Sequence, residues 1–195
     1  KQASEDEERH AILCADVART LDEDDPFATR PAKGEPIGPS DLSPGDALLY
    51  ELTAFCCVTE SMNAALLMSI HATTAEGPIR DATHQLLTDE VQHAKLGWAF
   101  LAWHTAERSS PAFFGTHLPA VLQAAASENL TEQDRFCATW SDPSRGYLSR
   151  EQRVAIFCQC ISDVIVPGLK RYGVATDDAL QWVTQQDWTR AQAPT

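Results

Sequence analysis

At 195 residues, 44% hydrophobic and 22% charged, the chain has the size and composition of one globular domain with a proper core. Its net charge of −13 argues against nucleic acid as a partner, which needs clustered Lys and Arg, and suits a protein that attracts cations. No uninterrupted apolar run is long enough to read as a membrane span, and no signal peptide is visible. The first residue is Lys1 rather than Met, so the compartment stays open.

The predicted elements are nearly all helical. Residues 4–21 carry an apolar stripe of Leu13, Cys14, Val17 and Leu21. Residues 22–45 hold five prolines and three glycines, an extended crossover rather than a tight turn. Ser43-Pro44-Gly45-Asp46 is a helix start, with Ser43 as cap and Pro44 in the first turn. A long helix over 45–75 ends at Gly77-Pro78, and a second covers 79–108 before Ser109-Ser110-Pro111. Shorter helical pieces are expected near 118–127 and 131–140, with His117 in a loop before Pro119. Ser149-Arg150-Glu151-Gln152 reads as a capping box opening a helix over 150–165, broken by Pro167-Gly168, and a last short helix follows Thr176. Neither strand alternation nor a fixed-period repeat is visible.

Six cysteines occur, Cys14, Cys56, Cys57, Cys137, Cys158 and Cys160, and none forms a C-x-x-C pair. The knuckles of a structural zinc or rubredoxin-type iron site are therefore missing. Most read as small buried hydrophobes, with a disulfide between the 56–57 and 158–160 regions as the alternative.

The chemistry sits in two Glu-x-x-His pairs, Glu7–His10 and Glu90–His93, with Glu60 between them. Positions i and i+3 share a helix face, so each pair aims a carboxylate and an imidazole at one point. Such pairs with lone glutamates are the ligand set of a dinuclear site in a four-helix bundle. Asp81–His84 has a similar form, but lies nine residues earlier, about 180° away around the same helix. Leu86, Gly97 and Leu101 fall on the Glu90–His93 side, so His84 is expected to face solvent. If the two long helices fold back about residue 77, residues at one height have numbers adding to about 154. Glu60 then lies level with His93 and one turn from Glu90, on a face with Cys56, Asn63 and Leu67. His71 and His104 each lie eleven residues from a site residue, about 16 Å along the axis, fail as ligands, and read as satisfied or partly exposed histidines. Glu51 is expected to be solvated. For Glu7–His10 the competing reading is an acidic first turn favoured by the helix dipole.

Asp6-Glu7-Glu8-Arg9-His10-Ala11 and Asp89-Glu90-Val91-Gln92-His93-Ala94 both resemble the D-E-x-x-H-A signature of the ferritin-like superfamily. Cys57-Val58-Thr59-Glu60-Ser61 is similar to its third-helix segment with a lone Glu. The closest likeness is to bacterial ferritin-like domain proteins with a long crossover and helices after the bundle. The resemblance implies an all-α, ferritin-like four-helix bundle, with helices B, C and D in residues 1–108 and a C-terminal helical extension over 109–195. It implies two iron ions, with manganese or zinc as alternatives and no organic cofactor. Glu7 and Glu90 would bridge, His10 and His93 would each hold one ion, and Glu60 would be a terminal ligand. Nothing before Glu7 supplies helix A. The expectation is that an upstream segment or another chain contributes it, and that the C-terminal helices shield the bundle or make the contact of a homodimer.

The implied activity is that of a di-iron oxidoreductase of the ferroxidase, peroxidase or oxygenase class, acting on oxygen or peroxide. The alternatives are a metal-binding module without turnover and a structural bundle with an incomplete site. Met62, Met68, Phe55 and Phe100 could line a substrate cavity, but core packing is the plainer role. Trp140, Trp182 and Trp188 are expected to pack on the bundle or cover a partner surface.

Overall fold

A computed structural model of the chain describes residues 2–20, 38–130 and 142–188. The described residues are helical, with no strand among them. Helix α1 is Gln2–Thr20. Helix α2 is Pro44–Thr73, continuous but containing a π-helical stretch at Thr53–Thr59. Helix α3 is Pro78–Glu107, and α4 is Phe114–Leu130. Helix α5, Arg150–Arg171, has a second π stretch at Ile161–Ile165, and α6 is Asp177–Gln185.

Local chemistry sets the boundaries. Ser43 caps α2, its hydroxyl accepting from the Asp46 amide at 3.2 Å, with Pro44 in the first turn. Gly77 ends the hairpin turn at φ 140°, a left-handed geometry that favours glycine, and Pro78 opens α3. The capping box of α5 is formed: Ser149 accepts from the Gln152 amide and the Gln152 side chain accepts from the Ser149 amide.

Helices α2 and α3 make the most extensive contact, as an antiparallel hairpin. A Cβ on Gly97 would fall 2.4 Å from Cys56 Cβ, so the backbones meet where the folding-back rule puts them. Helix α1 lies along α3, while α5 packs on α2 and α4 packs against α5, α6 and the π stretch of α2. The core runs through Val58, Met62, Leu101, Leu122, Phe157 and Ile161, all buried. Residues after 108 thus share one core with the hairpin.

Several expectations are corrected. Helix α5 continues through Pro167-Gly168 instead of breaking there. The π stretch just before Pro167 widens the helix where a proline ring would otherwise strike the carbonyl one turn back. Gly168 is needed for a close approach, since a Cβ there would meet the Trp98 ring at 2.5 Å. The segment near 118–127 is longer than expected and takes His117 into α4, its ring 5.6 Å from Tyr50. Cys14, Cys56, Cys57, Cys158 and Cys160 are free thiols, so the 56–57 to 158–160 disulfide is not formed. Helices α2 and α5 pass the length and apolarity test for a membrane span, which the sequence reading did not credit. Both bury apolar residues in the core, Val58 and Met62 from α2 and Phe157 and Ile165 from α5. Trp182 and Trp188 pack on the core, with Trp188 against Phe157 at 5.7 Å. The crossover over 21–37, the expected helix over 131–140, Cys137 and Trp140 lie outside the described residues.

Candidate metal centre

Helix α1 buries Asp6 and His10, while its apolar residue Ile12 is 62% exposed. An amphipathic helix normally buries its apolar stripe. Here the contact with α3 is built on polar groups that meet Asp89, Glu90 and His93. Burying unpartnered carboxylates and imidazoles is costly, so their convergence needs a counter-charge or mutual hydrogen bonds.

Ligand atoms of Glu7, Glu60, Glu90 and His93 all lie within 4.8 Å of one another. His10 stands beside this group and completes a near two-fold pattern. Its Nδ1 is 3.5 Å from Glu7 Oε2 and 3.6 Å from Glu90 Oε1. His93 Nδ1 is 3.7 Å from Glu7 Oε1 and 3.4 Å from Glu90 Oε2. Each of the two carboxylates therefore turns one oxygen to each imidazole. Donors sharing a metal at bond lengths of about 2.0–2.2 Å sit roughly 3 Å apart, so these gaps need only small adjustments. The five residues named from sequence come together, with Glu60 added on the His93 side.

Two residues given no role by sequence reasoning fix the imidazoles. His93 Nε2 meets Asp6 Oδ2 at 3.2 Å and His10 Nε2 meets Asp89 Oδ2 at 3.0 Å. Each helix holds the histidine of the other. An ionised carboxylate only accepts, so Nε2 carries the hydrogen and the Nδ1 lone pair is left facing Glu7 and Glu90. Arg9 joins the two aspartates, 2.9 Å from Asp6 and 2.6 Å from Asp89. Burial pulls the Asp89 carboxyl upward, but the His10 and Arg9 hydrogen bonds outweigh it and hold it below its ordinary value. The signal was visible as a repeated Asp before the Glu of each pair.

The inner carboxylates show the opposite behaviour. Burial, reinforced by a hydrogen bond and repulsion from Glu90, pushes Glu60 up to about 8. Asn63 donates to Glu60 at 3.2 Å and opposes this only in part. Burial likewise raises Glu90, whose Oε2 is buried without a hydrogen-bond partner. Crowded, buried glutamates converging with two imidazoles are a donor set that a metal cation fits. Glu7 is 57% exposed at its side chain and marks the open side of the centre.

Glu60 follows directly on the π stretch of α2, its amide bonding to the Phe55 carbonyl five residues back. Such stretches often occur at functional sites. Here it brings the chain beside Cys56 against Gly97, one turn beyond His93. Cys56 feels the site: burial, then Glu60 and Glu90, raise its thiol. His84 is exposed, Glu51 is half-buried, and neither His71 nor His104 joins the cluster.

A groove of about 440 Å³ lies elsewhere, between α2, α3 and α5, lined by Ala65, Met68, Val91, Ala94 and Trp98. Met68 is the one candidate cavity residue that reaches it; Met62 is core, and Phe100 stacks near Trp103 at 5.7 Å. No family model, curated protein or solved structure matches the chain.

Proposed function

We propose that the chain is a ferritin-like protein whose dinuclear centre, of iron or manganese, reacts with oxygen or peroxide. One observation carries this reading: Glu7 and Glu90 each direct one oxygen to His10 and the other to His93. A carboxylate so placed would hold two ions rather than one. Glu7, Glu60, Glu90 and His93 would hold the first ion, and Glu7, Glu90 and His10 the second. Mixed carboxylate and imidazole ligands suit iron and manganese, and zinc would fill the same positions without redox use.

Bound iron or manganese supplies the electron transfer to oxygen or peroxide. The chain's own residues do the rest. Asp6 and Asp89 fix the tautomer of the opposing histidine, and Arg9 keeps both aspartates in place. The exposed side of Glu7 gives small oxidants an approach.

A second reading has its own support. The His10 position has three protein donors against four at His93, which favours a metal-holding bundle whose second ion is weakly kept. Anaerobic loading with Fe²⁺ followed by a measured addition of oxygen or hydrogen peroxide separates the two. Oxidant consumption in step with bound iron, lost in His93→Ala, supports the redox protein. Two bound irons without oxidant consumption would leave the metal-holding bundle.

A further inference from the structure

We propose that His71 and His84 form a separate transition-metal site, two imidazoles bridging α2 and α3 near the hairpin turn. The pair is independent of the glutamate centre, because His71 lies eleven residues beyond Glu60, about 16 Å along the axis.

Each helix contributes one ring, and their centroids are 5.4 Å apart with planes tilted by 38°. Two imidazoles on one ion with bonds of about 2.0–2.1 Å place their ring centres roughly 4.5–5.5 Å apart. The observed centroid separation falls within that range. His71 Nδ1 is buried and has no hydrogen-bond partner, an expensive state for a ring nitrogen unless something binds at the ring. His84 is exposed, so an ion and its waters reach the pair from solvent.

The surroundings favour a cation. His71 lies in the last turn of α2, where the helix carries partial negative charge. Asp81, in the first turn of α3, sits three residues before His84 on the same face. The opposing charge is Arg80, whose guanidinium donates to the carbonyls of His71 at 2.7 Å and Thr74 at 2.9 Å. It is held on the end of α2 and ties down the turn. Two imidazoles with the remaining positions filled by water suit Cu²⁺, Ni²⁺ or Zn²⁺ rather than Mg²⁺ or Ca²⁺.

The test uses Cu²⁺ with the full chain. In a His10→Ala, His93→Ala variant that removes both imidazoles of the first centre, equilibrium dialysis should retain one Cu²⁺, its electron paramagnetic resonance spectrum split by two nitrogens. His71→Gln or His84→Gln in that background should each weaken retention by about 10²-fold, the advantage lost with one arm of a chelate. If the double alanine variant does not fold, the same substitutions in the wild-type chain should remove one Cu²⁺ per chain. They should also abolish that ion's contribution to thermal stability. Unchanged Cu²⁺ retention in both histidine variants, or nitrogen splitting from a single imidazole, would overturn the site. Failure here leaves the glutamate centre untouched, since His71 and His84 take no part in it.

Discussion

Metal binding at the glutamate centre should release a proton from Glu60, and the size of the effect follows from its surroundings. Burial and Glu90 push that carboxyl up to about 8. A metal ligates the carboxylate, so below that value an ion must first displace the proton. Each pH unit below about 8 then weakens apparent affinity about tenfold, or roughly a hundredfold between pH 8 and pH 6. This is an upper value, because Glu60 is partly exposed and solvent screens part of the repulsion. Glu90 is raised by burial and adds in the same direction. In Glu60→Gln that proton is gone: binding is weaker, but proton release should fall by about one per chain. Calorimetric titration with Mn²⁺ in buffers of different ionisation heat counts the protons directly. The same release in wild type and Glu60→Gln would refute the reasoning. The sign for the metal-free chain follows from the same shift. A carboxyl whose folded value exceeds its unfolded value stabilises when protonated, so stability should fall as pH rises from about 4.5 to about 8. Thermal melts of metal-free protein across that window check this.

Three further outcomes are expected. Asp6→Asn and Asp89→Asn should each weaken metal binding by about 10- to 100-fold with little change in the metal-free melting temperature, since both act by orienting a histidine; metal titration with a melt of each variant decides. Gly97→Ala should cost about 1–3 kcal/mol in urea unfolding, because the new methyl meets Cys56 Cβ at 2.4 Å and its carbonyl carbon at 2.8 Å. Phe157→Ala should cost about 3–5 kcal/mol, since Phe157 is 1% exposed and joins α5 to the core; a separate early urea transition would instead show that the C-terminal helices fold alone.

The helices and their starts were legible where local chemistry decides them. Ser43, Pro78 and the Ser149–Gln152 box each open a helix as their residue types dictate. The meeting of Glu60 with Glu90 and His93 was legible too, because hairpin register and 100° steps fix it without knowledge of the rest of the fold. The π stretches at Thr53–Thr59 and Ile161–Ile165 were not. The first packs against Gly97, far along the chain, which leaves no local pattern, and the second stands just before a proline of a kind that ordinarily ends a helix. For that reason the proline at 167 was read as a stop. Arg9, Asp6 and Asp89 were in plain view, but their roles depend on which helix faces which, and the segment between Thr20 and Ser43 hides that register.

The most direct measurement is a metal titration that resolves the two positions in wild type and His10→Ala. The account predicts two ions per chain in wild type, the first bound more tightly, where four protein donors converge beside His93. His10→Ala should keep the first ion and lose the second. A single ion in wild type, or loss of both ions in His10→Ala with the helices intact, would contradict a bridged dinuclear centre.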